Sequence, residues 1–406
     1  MTRYRASWIL PIDAPPIRDG WIATSGGRVA AVGRAADPVS RDVSEVDLGA
    51  VAVLPGLVNA HTHLELSYLR AEVPPADHFV DWIRHVMAAR RKRPDPEATE
   101  IVRSVEEGIA EAEAFGTAVV GDISNTLVTV PALVASRLAA MVFYELIGFK
   151  PANAESFVDD ARRRIGGVKA SDDVRIGLAA HAPYSVAPRV LRGMCGGADA
   201  ASSLPSSVHL SESAEEVEFI RTGGGAWRAV LEEVGSWNAA WQPPGASPVQ
   251  YLDDIGFLSS SLLAVHGVQM TPADLQRLEA RGTTLVACPR SNRRTGAGTP
   301  PIADFYASGV RVAVGTDSLA STPDLNVFAE LAAMRALAPS VPASALLASA
   351  TRRGADALGF GADYGTISPG KRARLLAIDL PDDGDLDVEE YLLSGIERRQ
   401  IHWLEE

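Results

Sequence analysis

The stretch Leu54–Ser67, LPGLVNAHTHLELS, decides how the rest of the chain is read. An apolar run ends in two histidines, His61 and His63, one residue apart. Side chains on a β-strand alternate faces, so these two imidazoles project side by side from the end of a buried strand. Imidazole is the commonest protein ligand for a catalytic divalent metal. Pro55 and Gly56 suit a turn leading into the strand. One His-x-His pair carries little by itself; its meaning depends on what stands at the ends of later strands.

Outward from it, residues 56–364 alternate apolar runs with amphipathic stretches. The strand-like runs are GLVNAHTH, TAVVGDIS, MVFYELIG, RIGLAAHAP, SSVHLSE, SLLAVHG, TTLVACP and VRVAVGTD. Helical patterns such as PEATEIVRSVEEGIAEAEAFG and TPADLQRLEARG separate them. Strands buried on both faces read as continuous apolar runs, as these do. Eight of them with intervening helices predict an α/β fold, a (β/α)₈ TIM barrel. Residues 1–55 read as short β pieces split by Gly, Pro and Asp, and residues 365–406 have the same character. Neither end can bury a sheet alone. The two are expected to pair into a small β-sandwich beside the catalytic barrel at 56–364.

The longest insertion runs from Glu212 to Ser261 and holds Trp227, Trp237 and Trp241. It reads either as a lid or as peripheral helices with packed tryptophans.

Composition narrows the class. The chain has 406 residues, 47% of them hydrophobic, and a net charge of −13. Nucleic acid and anionic membranes attract basic patches, so both are excluded as expected partners. Two cysteines, Cys195 and Cys288, make no disulfide framework. No apolar stretch reaches the roughly 18 residues of a membrane span, and the N-terminus does not read as a signal peptide. The expectation is a cytoplasmic enzyme acting on a small molecule and water, compatible with a homo-oligomer.

Barrel enzymes of this kind keep their chemistry at the C-terminal ends of the strands. Five of the eight expected strands end in His or Asp: His61 and His63, His181, His209, His266 and Asp317. The chain holds only eight histidines, and five fall at these ends. Glu65 lies two beyond His63, so alternation carries it towards the same pocket. Trp82 is placed either to stack on a heteroaromatic ring or to pack in the core. Tyr184 and Asn292, in HAPYS and CPRSN, sit in strand-end loops that can hydrogen-bond a substrate. Arg290, Arg293 and Arg294 crowd the second loop, either as a solvated surface or as a handle for a carboxylate. Glu215, Glu216 and Glu218 read as a solvated helix start, where acids are favoured.

The ordered set HTH, HxxE, H and TDS resembles the amidohydrolase superfamily, in the branch of guanine deaminase, the triazine hydrolases and the S-adenosylhomocysteine deaminases. The resemblance covers nearly the whole chain. It implies that His61, His63, His209 and Asp317 bind one divalent metal, Zn²⁺ or alternatively Fe²⁺. Members with two metals carry a bridging lysine on the fourth strand; this chain has His181 there, which implies a single metal. His181 is then a substrate contact or an orienter of its neighbours. Glu212, three after His209, is implied to move protons to and from the substrate. His266 is implied to steer the attacking water, and Asp317 to take its proton. The implied reaction is hydrolytic deamination of an aminopurine nucleoside. HTHLELS, HAPYS, CPRSN and GTDSLASTPDLN resemble in particular the aminodeoxyfutalosine deaminases of menaquinone biosynthesis, whose substrate is an adenine nucleoside carrying a benzoate. Other adenosine derivatives, guanine, a triazine, or an amide hydrolysed on the same scaffold fit the same set. A binding protein with a relic site is the reading from another class, and an intact ligand set argues against it.

Overall fold

Five strands precede the first histidine: β1 (Thr2–Ile9), β2 (Ile17–Ser25), β3 (Arg28–Arg34), β4 (Ser44–Asp47) and β5 (Val51–Pro55). Eight follow: β6 (Leu57–Thr62), β7 (Thr117–Ser124), β8 (Ala139–Leu146), β9 (Val174–Ala180), β10 (Ser206–Leu210), β11 (Leu262–His266), β12 (Thr284–Ala287) and β13 (Arg311–Val314). Two more, β14 (Leu375–Asp379) and β15 (Ile401–Trp403), complete the chain. The computed structural model describes residues 1–37, 44–195, 204–381 and 385–404.

Strands β6 to β13 pair in sequential order, each parallel to the next. They are the eight runs anticipated from the sequence. Residues along β6, β7, β10, β11 and β12 are buried almost without exception, because helices cover the outside and side chains fill the inside. The sheet closes where β13 meets β6. Asn59 Nδ2 donates to Thr316 Oγ1 at 2.7 Å, and Thr316 N donates to Asn59 Oδ1 at 3.0 Å. Asp317 N donates to His61 O at 3.0 Å. Gly315 permits this approach: a Cβ there would stand 2.7 Å from both Cβ and O of His61.

The two chain ends build one seven-stranded sheet, as their shared character predicted. β1, β2 and β3 form an antiparallel meander, while β4 and β5 lie parallel to successive halves of β1. β14 joins β5 antiparallel and carries β15 on its other edge. Ile9, Ile22 and Val53 share an apolar cluster with Ile367 and Leu375, so neither end buries its face without the other. Among the described residues no helix is long and apolar enough to cross a membrane.

The insertion after β10 is three helices, Ala214–Thr222, Gly225–Glu233 and Pro248–Ile255. Its tryptophans are packed. Trp241 stacks on Phe219 with ring centroids 4.9 Å apart, and Trp227 stacks on Tyr184 at 3.7 Å.

The closure generates a stability prediction. Asn59→Ala removes two buried hydrogen bonds and strands the amide of Thr316, so unfolding free energy is expected to fall by about 2 kcal/mol. Urea titration measures it; an unchanged midpoint would show that the seam is held by other contacts.

Candidate active site

The strand ends deliver their side chains to one mouth of the barrel. Three of the residues there, Ser211, His266 and Asp317, have positive φ of 52°, 79° and 62°. A non-glycine residue in this region costs about 1–3 kcal/mol and persists only where its surroundings hold it. The left-handed twist turns each chain out of its strand directly at the site.

His63 Nε2 lies 3.3 Å from His209 Nε2 and 3.5 Å from Asp317 Oδ1; His61 Nε2 lies 3.8 Å from the same oxygen. Two ligands about 2.0–2.1 Å from a tetrahedral zinc ion stand about 3.3 Å apart, so the spacing suits one such ion. Both ring nitrogens of the fully buried His61 lack any hydrogen-bond partner. Burial, reinforced by the neighbouring imidazoles, holds the pKa values of His61 and His63 well below the usual histidine range. Neutral imidazoles therefore crowd against one another and against a carboxyl group. Side chains able to hold a divalent cation form overlapping groups here: His61, His63 and Asp317; His61, His209 and His266; and Glu145, His181 and His209.

An outer layer fixes these groups. His209 Nδ1 donates to the carbonyl of His181 at 2.8 Å, which leaves Nε2 bare. Asp317 Oδ2 accepts from Ser291 Oγ at 2.5 Å and Ser321 Oγ at 3.0 Å, while Oδ1 accepts from Ser318 N at 2.7 Å. His181 Nδ1 pairs with Ser185 Oγ at 2.6 Å.

Glu212 is buried with Oε1 3.4 Å from His266 Nε2. Desolvation raises its pKa well above the usual carboxylate range, and Asp317 and Glu216 push it further. Glu216 departs from the solvated helix start expected for it. It is fully buried, and its two oxygens accept from Ser211 N and Glu212 N, each at 2.8 Å. It is the third residue of a helix capped by Ser213, from which a side chain reaches back to the free amides ahead of the helix. Burial pushes its pKa up to about 8.

His63, His181, His209, Glu212, His266 and Asp317 line one cavity, and the expected substrate contacts Trp82 and Tyr184 share its wall. The indole Nε1 of Trp82 is buried without a partner. Glu65 and Asn292 stand behind the lining. The alternation argument fails for Glu65 because β6 ends at Thr62 and the chain turns into a 3₁₀ helix, Leu64–Leu69. Glu65 Oε2 instead accepts from Ser124 Oγ at 2.7 Å, Thr126 Oγ1 at 2.9 Å and Asn125 N at 3.0 Å. Asn292 is fully buried and faces His266.

Arg290 is neither solvated nor a free handle, since it pairs with Asp324 at 2.8 Å and Glu330 at 3.5 Å. Arg293 is exposed, and Arg294 donates to the carbonyl of Val73. Arg90, Asn125 and Glu145 also line the cavity, and sequence reasoning missed them. Glu145 had a signal, an acid at the end of the third barrel strand, overlooked in a search for His and Asp. Arg90 sits in an ordinary amphipathic helix, Phe79–Arg91, and had none.

The Amidohydrolase family profile matches residues 52–398, and the chain belongs to that family. It is a hydrolase of carbon–nitrogen bonds other than peptide bonds. An aminodeoxyfutalosine deaminase of Deinococcus radiodurans is 32% identical over 357 residues, covering 84% of this chain and 81% of that protein. A 5-methylthioadenosine/S-adenosylhomocysteine deaminase of Nitratidesulfovibrio vulgaris is 30% identical over 377 residues, covering 90% and 80%. Among solved structures, an adenosine deaminase from Xanthomonas campestris with bound zinc is 26% identical with a TM-score of 0.82, covering 98% of this chain and 90% of that one.

The ligand assignment predicts metal content directly. His61→Ala and His209→Ala are each expected to lose most of the bound metal, measured by elemental analysis of purified protein. Full occupancy in either variant would show that the ligands lie elsewhere.

Proposed function

We propose that the chain is a single-metal hydrolytic deaminase of an adenosine derivative, with 6-amino-6-deoxyfutalosine the first candidate. The observation that carries this reading is a buried carboxyl, Glu212, whose pKa desolvation raises, beside a three-histidine, one-aspartate donor set. The names of the relatives support it. His61, His63, His209 and Asp317 hold the metal, read as Zn²⁺ with Fe²⁺ the alternative. A divalent cation there lowers the pKa of water from about 15.7 towards about 7 and so supplies a nucleophile at neutral pH.

The chain's own residues do the rest. Asp317 takes one proton from the water as its oxygen adds to the carbon bearing the amine. Glu212 gives its proton to the adjacent ring nitrogen, so that negative charge does not build up on the ring. As the tetrahedral intermediate collapses, Asp317 returns its proton to the departing amine. Glu212 recovers one from the new hydroxyl, and ammonia leaves. His266 hydrogen-bonds the reacting oxygen. His181, Trp82 and Tyr184 form the wall against the purine and its sugar.

A benzoate arm requires a cation. Arg290 is engaged elsewhere and Arg90 is held by Glu65 and Asn125, so that role falls to Arg91 and Arg164 along the open groove adjoining the cavity. Met87, Ile147 and Phe157 give the groove an apolar floor suited to an aromatic ring.

An ultraviolet assay of adenine-to-hypoxanthine conversion, run across adenosine, methylthioadenosine, S-adenosylhomocysteine and the benzoate-bearing nucleoside, tests the reading; no conversion of any of them rejects it. Glu212→Gln is expected to keep its metal and lose at least about a hundredfold in kcat. Near-normal turnover would remove Glu212 from the mechanism. The double variant Arg91→Gln, Arg164→Gln is expected to raise KM about two- to fivefold per charge for the benzoate substrate and to leave adenosine unaffected. An equal rise for both substrates would move the arm elsewhere.

A further inference from the structure

One helical turn, Pro289–Arg294, aims two side chains at the site from behind. Ser291 Oγ donates to Asp317 Oδ2, and next to it the amide nitrogen of Asn292 stands 2.9 Å from His266 Nδ1. Both Asn292 and His266 are buried, and the backbone of Asn292 is pinned by its bond to the carbonyl of Cys288 at 3.1 Å. On the far side of the ring, His266 Nε2 faces Glu212 Oε1 at 3.4 Å. Such contacts are long in empty sites and tighten around substrate.

A neutral imidazole has one N–H and one bare nitrogen, and whatever faces one nitrogen decides the state of the other. An amide is one of the few groups able to impose either choice, because it presents N–H₂ or C=O to the same point depending on how it is turned. Here the nitrogen faces the ring and Oδ1 is buried without a partner. With the amide donating, Nδ1 must be bare and the proton must sit on Nε2. Nε2–H then points into the cavity on the side of Glu212 Oε1, where it can be donated to the reacting oxygen. The opposite tautomer would present a bare Nε2 to the cavity, with no proton to donate there.

We infer that Asn292 is a positioning residue that fixes His266 as the Nε2–H tautomer, so that His266 serves the reaction as a hydrogen-bond donor and not as a base. This rests on the deaminase reading only for its consequence; the tautomer itself is a property of the resting protein. It assigns all proton uptake to Asp317 and Glu212, and it explains why a strand-end asparagine is buried facing away from the cavity.

The test has two arms. In the zinc-loaded protein labelled with ¹⁵N-histidine, the His266 resonances are identified by their loss in His266→Gln. The expected spectrum shows a bare Nδ1 and a protonated Nε2. A protonated Nδ1, a doubly protonated ring or a metal-bound Nε2 would each overturn the inference, whatever the substrate proves to be. The second arm is Asn292→Asp, nearly the same shape but able only to accept. It is expected to keep its metal content and a KM within a few fold of the parent while kcat falls at least about a hundredfold. Loss of less than tenfold in kcat would overturn the inference. If the variant fails to fold or to load metal, the parent spectrum alone decides. If no adenosine derivative is deaminated, the proposed function fails while the spectrum still reports on Asn292.

Discussion

Everything at the mouth of this barrel depends on keeping unprotonated nitrogens and a carboxylate crowded together away from water. His61, His63 and His209 bring ring nitrogens to within 3.3–3.8 Å of one another or of Asp317, in a cluster that burial strips of solvent. Both ring nitrogens of His61 are buried without a partner, and an unmatched buried polar group costs about 1–3 kcal/mol. The donors come from the ends of three strands, β6, β10 and β13, that the barrel already fixes. No loop is asked to find the geometry unaided.

The supporting layer works by short-range hydrogen bonding. Ser291, Ser318 and Ser321 converge on Asp317, and Glu216 gathers the amides of Ser211 and Glu212. Bonds to a charged group contribute about 1.5–3 kcal/mol each, enough together to hold the left-handed residues in place. Glu212 is thus oriented through its own backbone by a second carboxyl three positions into the next helix.

The eight barrel strands were legible because strands buried on both faces leave continuous apolar runs, and the period-two rule put His61 and His63 on one face. The joining of the two chain ends followed from neither having enough apolar surface alone. The failures share a cause. Glu65 was carried forward by alternation past the point where the strand stops, and no local signal in HTHLELS marks that end. Glu216 looked like any acid in a first helical turn, and only tertiary contact shows that it is buried. Arg90 and Asn292 owe their positions to contacts between distant segments, which pattern and spacing do not encode. Arg290 stood open between a solvated surface and a carboxylate handle because its partners, Asp324 and Glu330, lie more than thirty residues along the chain.

The seam at β13 and β6 has a wider consequence. Asp317 donates its amide to the carbonyl of His61, while the side chains of both belong to the donor cluster. The seam and the cluster therefore share residues: a cation bridging those side chains would also clasp the first strand to the last. Such a clasp would add to the bonds that already join residues 59–61 to 315–317, so that an ion held there would lend the barrel mechanical support besides its chemistry.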